Sequence, residues 1–357
     1  MTTNVLIHAR AIRLKSRLLI LMQRILLGLV ITLIALVALA AIGATYQAIA
    51  TRADQRNFPP PGQLYDIGGY RLYIYCTGPQ DSGNPTVILD TMGDGTSVNW
   101  GWVQPEVAKA TRVCAYDRAG RGWSDPSPEL RDGQHIAGEL HTLLVNAGLE
   151  PPYVLVGHSF GGLVTRIYAD QFPDEVAGMV IVDGGQPDIR SARFTAEGRE
   201  EQAAEDRFMT IAPFIARLGL FRLVGTPLPD LPSQQRAVFG VFYASTGLWD
   251  SLYAESIALS TTDEQVRNTG DLGGRPLMIV NGNMAWLTRG VPMDETRRVY
   301  NELQAELLAL SSNSVQHIVD GASHSSLVWN QQHAQETSAA ILQVVEAVRT
   351  GQPLLVK

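Results

Sequence analysis

Tyr153-Val154-Leu155-Val156-Gly157-His158-Ser159-Phe160-Gly161-Gly162 reads as a buried strand, a sharp turn and the start of a helix. The apolar run through Val156 is the strand. A helix runs from Gly162 to about Phe172, with Leu163, Ile167 and Tyr168 at helical spacing. Between them, Gly157 to Gly161 is G-x-S-x-G in the strand–turn–helix context that gives the pattern meaning. So tight a turn holds the serine in a strained backbone conformation, and glycines on either side avoid clashes. The strain lifts the Ser159 hydroxyl clear of the sheet, toward the positive end of the following helix. Ser159 is the candidate nucleophile.

Working outward, Leu64–Ile67 and Arg71–Cys76 flank Gly68-Gly69, a hairpin signal. Pro85–Leu89 is a buried strand ending in the glycine-rich loop Asp90–Gly95, whose backbone N–H groups can face inward as an oxyanion site requires. Thr111–Tyr116 is a further strand, followed by Asp117-Arg118-Ala119-Gly120-Arg121-Gly122-Trp123-Ser124-Asp125. A helix over Gln134–Ala147 places Ile136, Leu140, Leu143 and Leu144 on one face. Val176–Asp183 is again fully apolar up to its last residue. Continuous apolar strands alternating with helices predict an α/β fold with a mostly parallel sheet covered on both faces.

From Gln186 to about Gly274 this pattern stops. Helical segments replace it over Glu197–Phe208, Phe214–Leu223, Gln234–Tyr243 and Leu248–Leu259. Pro276–Val280 resumes the sheet, a helix follows over Asp294–Leu310, and Val315–Val319 is the last strand. It ends in Asp320-Gly321-Ala322-Ser323-His324-Ser325-Ser326, and an amphipathic helix over Thr337–Val348 closes the chain.

The glycine-rich loop after Leu89, the Tyr116–Asp125 stretch, the Gly157–Gly161 turn and a late histidine together resemble the α/β-hydrolase fold family. The resemblance implies a hydrolase core over 64–185 and 275–350. It also implies a helical cap over 186–274, inserted after the sixth strand. The cap would be packed, and one wall of the pocket lined, by Phe208, Met209, Phe214, Phe221, Phe239, Phe242 and Trp249.

A serine hydroxyl is a poor nucleophile at neutral pH and needs a base, which in turn needs an orienting carboxylate. His324 fits the base, in a loop just past the last strand. His158 points away from the serine in a turn of this kind, and His8, His141, His317 and His333 sit elsewhere. By resemblance the acid belongs a few residues past Val280, yet Asn281–Leu287 holds no carboxylate. The family's other position is the end of the preceding strand, where Asp183 stands. Asp294 is the alternative, with helix capping as its plainer role. Main-chain N–H groups of Met92 and Phe160 are the expected oxyanion donors. The reaction implied is cleavage of a carboxylic ester through an acyl-enzyme. Aminopeptidase, thioesterase or C–C-bond hydrolase chemistry on the same triad is the alternative, as is a non-catalytic binding protein of the same fold. A small-molecule ester or amide is the expected substrate.

No metal-ligand spacing and no phosphate-binding glycine loop occur, so no cofactor is implied. Cys76 and Cys114 fall on strands that neighbour one another in the resembling fold. Buried free thiols are the plainer reading, and a disulfide outside the cytoplasm is the other.

Residues 1–24 hold five basic residues (Arg10, Arg13, Lys15, Arg17, Arg24) and no acidic one. The rest carries 23 basic against 35 acidic residues, a charge that argues against nucleic acid as a partner. Residues 25–51 are uncharged and mostly apolar, long enough for a transmembrane helix. The positive-inside rule then puts the N-terminus in the cytoplasm and the catalytic body outside it; a cleaved signal peptide and a secreted body is the alternative. Pro59-Pro60-Pro61 marks 52–63 as a stiff, extended linker. With the segment uncleaved, a C-terminally tagged chain is expected to sediment with membranes after lysis and wash; recovery in the soluble fraction would contradict an anchor.

Overall fold

The computed structural model describes all residues except 1, 81–82, 190–195, 226–228, 284–292 and 355–357. Helix α1 (Thr2–Asn57) leads into the antiparallel hairpin β1 (Gln63–Asp66) and β2 (Arg71–Thr77). Then follow β3 (Thr86–Asp90), α2 (Val103–Val107), β4 (Val113–Asp117), α3 (Gly133–Asn146), β5 (Tyr153–His158), α4 (Phe160–Gln171) and β6 (Val176–Val182). Helices α5 (Ala196–Arg217), α6 (Leu220–Val224), α7 (Ser233–Tyr243) and α8 (Thr246–Arg267) come next. The chain finishes with β7 (Leu277–Gly282), α9 (Met293–Glu306), β8 (Ser314–Val319), α10 (Ser326–Trp329) and α11 (Gln331–Thr350).

Among the described residues, eight strands form one sheet in the order β1-β2-β4-β3-β5-β6-β7-β8. Every pairing from β4 onward is parallel; only β1–β2 and β2–β4 are antiparallel. Strand alternation divides the core into two layers. On one face Tyr153 and Leu155 of β5 pack with Ile136 and Leu140 of α3 and Ile167 of α4. On the other, Val154 and Val156 pack with Val103 and Val107 of α2 and Ile341 and Val344 of α11. Strands buried on both sides account for the unbroken apolar runs in the sequence.

Four local expectations are revised. Helix α4 begins at Phe160 rather than Gly162, because the Ser159 carbonyl already accepts from Gly162 N–H at 3.0 Å. Helix α5 joins the first expected segment of the insertion to the start of the second and runs through Pro213, while the end of the second segment falls in α6. Proline costs that helix one backbone hydrogen bond and does not end it; the break falls at Gly219, whose φ is 69°. The segment 52–57, expected to be extended, is the last part of α1, and the helix stops only before the prolines. Finally, Cys76 and Cys114 are joined in a disulfide. They lie directly opposite one another on antiparallel β2 and β4, a register that brings Cβ atoms within bridging range.

Replacing both cysteines by serine is expected to lower unfolding stability by about 2–4 kcal/mol, a typical value for a native disulfide. Urea denaturation of the variant against the oxidised parent measures it.

Candidate active site

The sharp turn between β5 and α4 puts Ser159 at φ 56° and ψ −117°, a backbone conformation that L-residues rarely adopt. It is held from two sides. Ser159 N–H donates to the Val182 carbonyl at 3.0 Å, and its own carbonyl accepts from Gly185 N–H at 3.3 Å. A side chain at Gly184 would meet the Ser159 carbonyl at 2.3 Å, and one at Gly161 would meet the Asp90 carbonyl at 2.6 Å. The serine is therefore clamped between the ends of β3 and β6.

Asp183, just past β6, is the other non-glycine residue with positive φ among those described, at 48°. Its N–H donates to the Val280 carbonyl at 2.7 Å, which fixes it over the end of β7. One carboxylate oxygen accepts from Gly282 N–H at 3.3 Å, and the other lies 2.7 Å from His324 Nδ1. Only 3% of the Asp183 side chain and 14% of the His324 side chain are exposed. A carboxylate only accepts, so Nδ1 carries the hydrogen and the neutral ring keeps its lone pair on Nε2.

Of the residues expected at the site, the fold thus brings Asp183 and His324 into contact. It sets Ser159 at the corner immediately before α4, Phe160 as the first residue of α4, and Met92 in the loop after β3. Asp294 belongs to the first turn of α9, and its side chain lies outside the described residues. His141, His317 and His333 are engaged elsewhere, with Glu175, Glu336 and Ser326.

His158, set aside as a base, has a different position of interest. It is fully buried, and its Nε2 donates to the main-chain carbonyl of His324 at 3.0 Å. Burial pushes its pKa well below the ordinary histidine value, so the ring is neutral. The residue preceding the serine thereby pins the loop that carries His324.

A buried ionic cluster was not read from the sequence. Arg118, at the end of β4, donates to Asp90 at 2.5 Å and to the carbonyls of Thr91 and Met92 at 2.8 and 2.7 Å. Its guanidinium stands 5.0 Å from the centre of the Phe160 ring. Tyr116 donates to the other Asp90 oxygen at 2.8 Å. Arg121 reaches Glu255 of α8 at 2.5 Å, and Arg118 Nε lies 3.5 Å from the same carboxylate. Ser251 of α8 completes the tie by donating to the Ala119 carbonyl at 3.0 Å. Burial opposes the charge on Arg118, but Asp90 and Glu255 hold its pKa above the ordinary arginine value, so it is cationic. Burial lowers the Arg121 pKa to about 10. The cluster holds the Met92 carbonyl on the two guanidinium groups and fastens the inserted helices to the loop after β3. Its signal was present in the two arginines of the Asp117–Asp125 stretch and the aspartate closing β3, but their partner Glu255 is more than a hundred residues away.

Residues 84–287 match the model of a family described as the alpha/beta hydrolase fold. The chain belongs to the α/β-hydrolase family. Among its relatives, an uncharacterized protein of Schizosaccharomyces pombe is 25% identical over 306 residues, covering 78% of this chain and 54% of that protein. A 2-hydroxy-6-oxo-2,4-heptadienoate hydrolase of Pseudomonas putida is 30% identical over 128 residues, 34% of this chain and 44% of that enzyme. This α/β-hydrolase chain therefore spans about half the length of these two curated relatives or less. Among solved structures, a protein of Acinetobacter baumannii provisionally named a lipase superposes with a TM-score of 0.60 at 19% identity, over 86% of this chain and 97% of that one. At that identity the likeness is one of fold.

Removing one member of a buried ion pair strands its partner and costs about 3–5 kcal/mol. Arg118→Met is accordingly expected to lose that much stability in urea denaturation. Lys109→Ala, at an exposed pair with Glu106, should lose less than about 1 kcal/mol.

Proposed function

We propose that this α/β-hydrolase is a serine hydrolase that cleaves carboxylic esters through an acyl-enzyme on Ser159. The observation that carries the reading is the buried Asp183–His324 contact, in a fold that also holds a strained serine at the β5–α4 corner. Ser159 Oγ attacks the ester carbonyl while His324 Nε2 takes its proton. Asp183 holds the ring in the required tautomer and stabilises the imidazolium. The tetrahedral oxyanion accepts hydrogen bonds from the Met92 and Phe160 N–H groups. The alcohol leaves with the proton from His324. A water, deprotonated by His324, then attacks the acyl group and releases the acid and free Ser159.

Helices α5–α8 serve in this reading as the cap over the site. Helix α1 serves as a membrane anchor with the N-terminus cytoplasmic: it is long and apolar enough to cross a bilayer, and its most apolar window is fully exposed. The likeness to the P. putida hydrolase favours a second reading, C–C-bond cleavage by the same three residues.

A p-nitrophenyl ester chain-length series tests the main reading. Ser159→Ala should abolish turnover. Asp183→Asn should lower kcat by about 10⁴-fold, as expected when the orienting carboxylate no longer fixes the histidine tautomer. If Asp294→Asn has that effect and Asp183→Asn does not, the acid is misassigned. Faster turnover of a 2-hydroxy-6-oxo-2,4-dienoate than of any ester in the series would favour the second reading.

A further inference from the structure

Helix α1 does not leave the body as a free tether. Gln47 is 4% exposed and uses both ends of its amide: Nε2 donates to the Ala244 carbonyl at 2.9 Å, and Oε1 accepts from Arg222 at 2.7 Å. Arg222 also pairs with Asp54 at 2.6 Å. Gly43 lies so close to α5 that a side chain there would meet the Leu218 carbonyl at 2.6 Å. The helix is thus keyed to the α5–α6 corner of the insertion, over residues 43–54.

That joint falls at a definite depth. Arg24 is the last charged residue before Arg52. From there to Gly43 a helix rises about 28 Å, close to the hydrocarbon thickness of a bilayer, about 30 Å. The α5–α6 corner is then level with the outer headgroup zone. Tyr46, 45% exposed, stands at the depth where aromatic residues gather.

The corner's own surface fits that place. Phe214, Leu220, Leu223 and Val224 are 66%, 40%, 70% and 84% exposed, although Phe214 was expected to pack inside the cap. Such a cluster is out of keeping with a surface that meets only water. The charges beside it are paired, Arg217 with Asp250 at 2.8 Å and Arg222 with Asp54, as befits a headgroup layer.

We infer that the α5–α6 face of the cap is seated in the outer interfacial layer of the bilayer that α1 crosses, so that the cap is a membrane-contacting surface continuous with the anchor. This rests on the reading of α1 as a transmembrane helix. Seated there, the cap presents the site to esters that partition into the bilayer.

The test uses the full chain, whose native cysteines are paired, with one added cysteine carrying an environment-sensitive fluorophore. The positions are Leu223→Cys on the face, Leu33→Cys in the middle of α1, and Val145→Cys. Val145 lies at the end of α3 remote from the insertion, since the opposite end of α3, at Gly133, meets Thr262 of α8. The proteins are reconstituted into phosphatidylcholine vesicles with a nitroxide just below the headgroup or deep in the acyl chain. Leu223→Cys should be quenched about twofold or more by the shallow nitroxide, Leu33→Cys by the deep one, and Val145→Cys by neither. Quenching at Leu33 with Leu223 behaving like Val145 overturns the inference and leaves the span intact. Concentration-dependent cross-linking of unlabelled Leu223→Cys between copies, with no quenching of the labelled protein, would likewise overturn it and assign the face to a second copy. No quenching at Leu33 overturns the span, and the inference with it.

Discussion

The site depends on a steric constraint: the carbonyl of Ser159 and the chain around it are squeezed between two strand ends with no room for a side chain on the far side. Glycine at 161 and 184 lets β3 and β6 close on the corner, and the hydrogen bond to Val182 locks it to the sheet. A residue at φ 56° costs about 1–3 kcal/mol and persists only where its surroundings determine it. Here the surroundings are the buried ends of central strands of the sheet. The strain is met by core packing, and its product is a Ser159 Cα–Cβ bond whose direction the backbone fixes.

Around this corner the polar groups are arranged in two separate systems. One runs from Asp183 to His324 and is seconded by His158, whose neutral ring holds the His324 main chain. The other, from Asp90 through Arg118 to Glu255, supports the loop after β3 and binds the inserted helices to it. Buried ionic groups of this kind add little net stability but punish any rearrangement that separates them. They fix the insertion to the core on the α8 side, while its α5–α6 side is fixed by α1. The inserted helices are thereby held between the core and α1.

Much of the fold was legible because it is written locally. Apolar runs bounded by glycine and polar turns marked the parallel strands, and the strand–serine–helix pattern marked the corner. The position of His324 just past the last strand is what sets it apart from the other histidines in the sequence. Asp183 was chosen over Asp294 because the loop past Val280 holds no carboxylate at 281–287, and the fold sets Asp183 beside His324. What escaped was set by register and long-range packing. Whether Cys76 meets Cys114 depends on how β2 slides against β4, which neither strand encodes alone. The partners of Arg118 and Arg121 lie on β3 and on α8, and no short-range pattern joins them. The continuity of α5 through Pro213 was not legible either, since a proline's lost hydrogen bond is outweighed by the packing of a long amphipathic helix. The exposure of Phe214 could not be foreseen, since an apolar residue at helical spacing reads as core until its neighbours are placed.

The claim that organises this account is that catalysis passes through an acyl group on one hydroxyl. Rapid quenching of the full chain during turnover of a slowly deacylating ester, followed by peptide mass spectrometry, addresses it directly. The account predicts the acyl mass on the peptide bearing Ser159, formed in a burst and then lost to water. An acyl group on any other residue, or turnover with none detectable on that peptide, would contradict it.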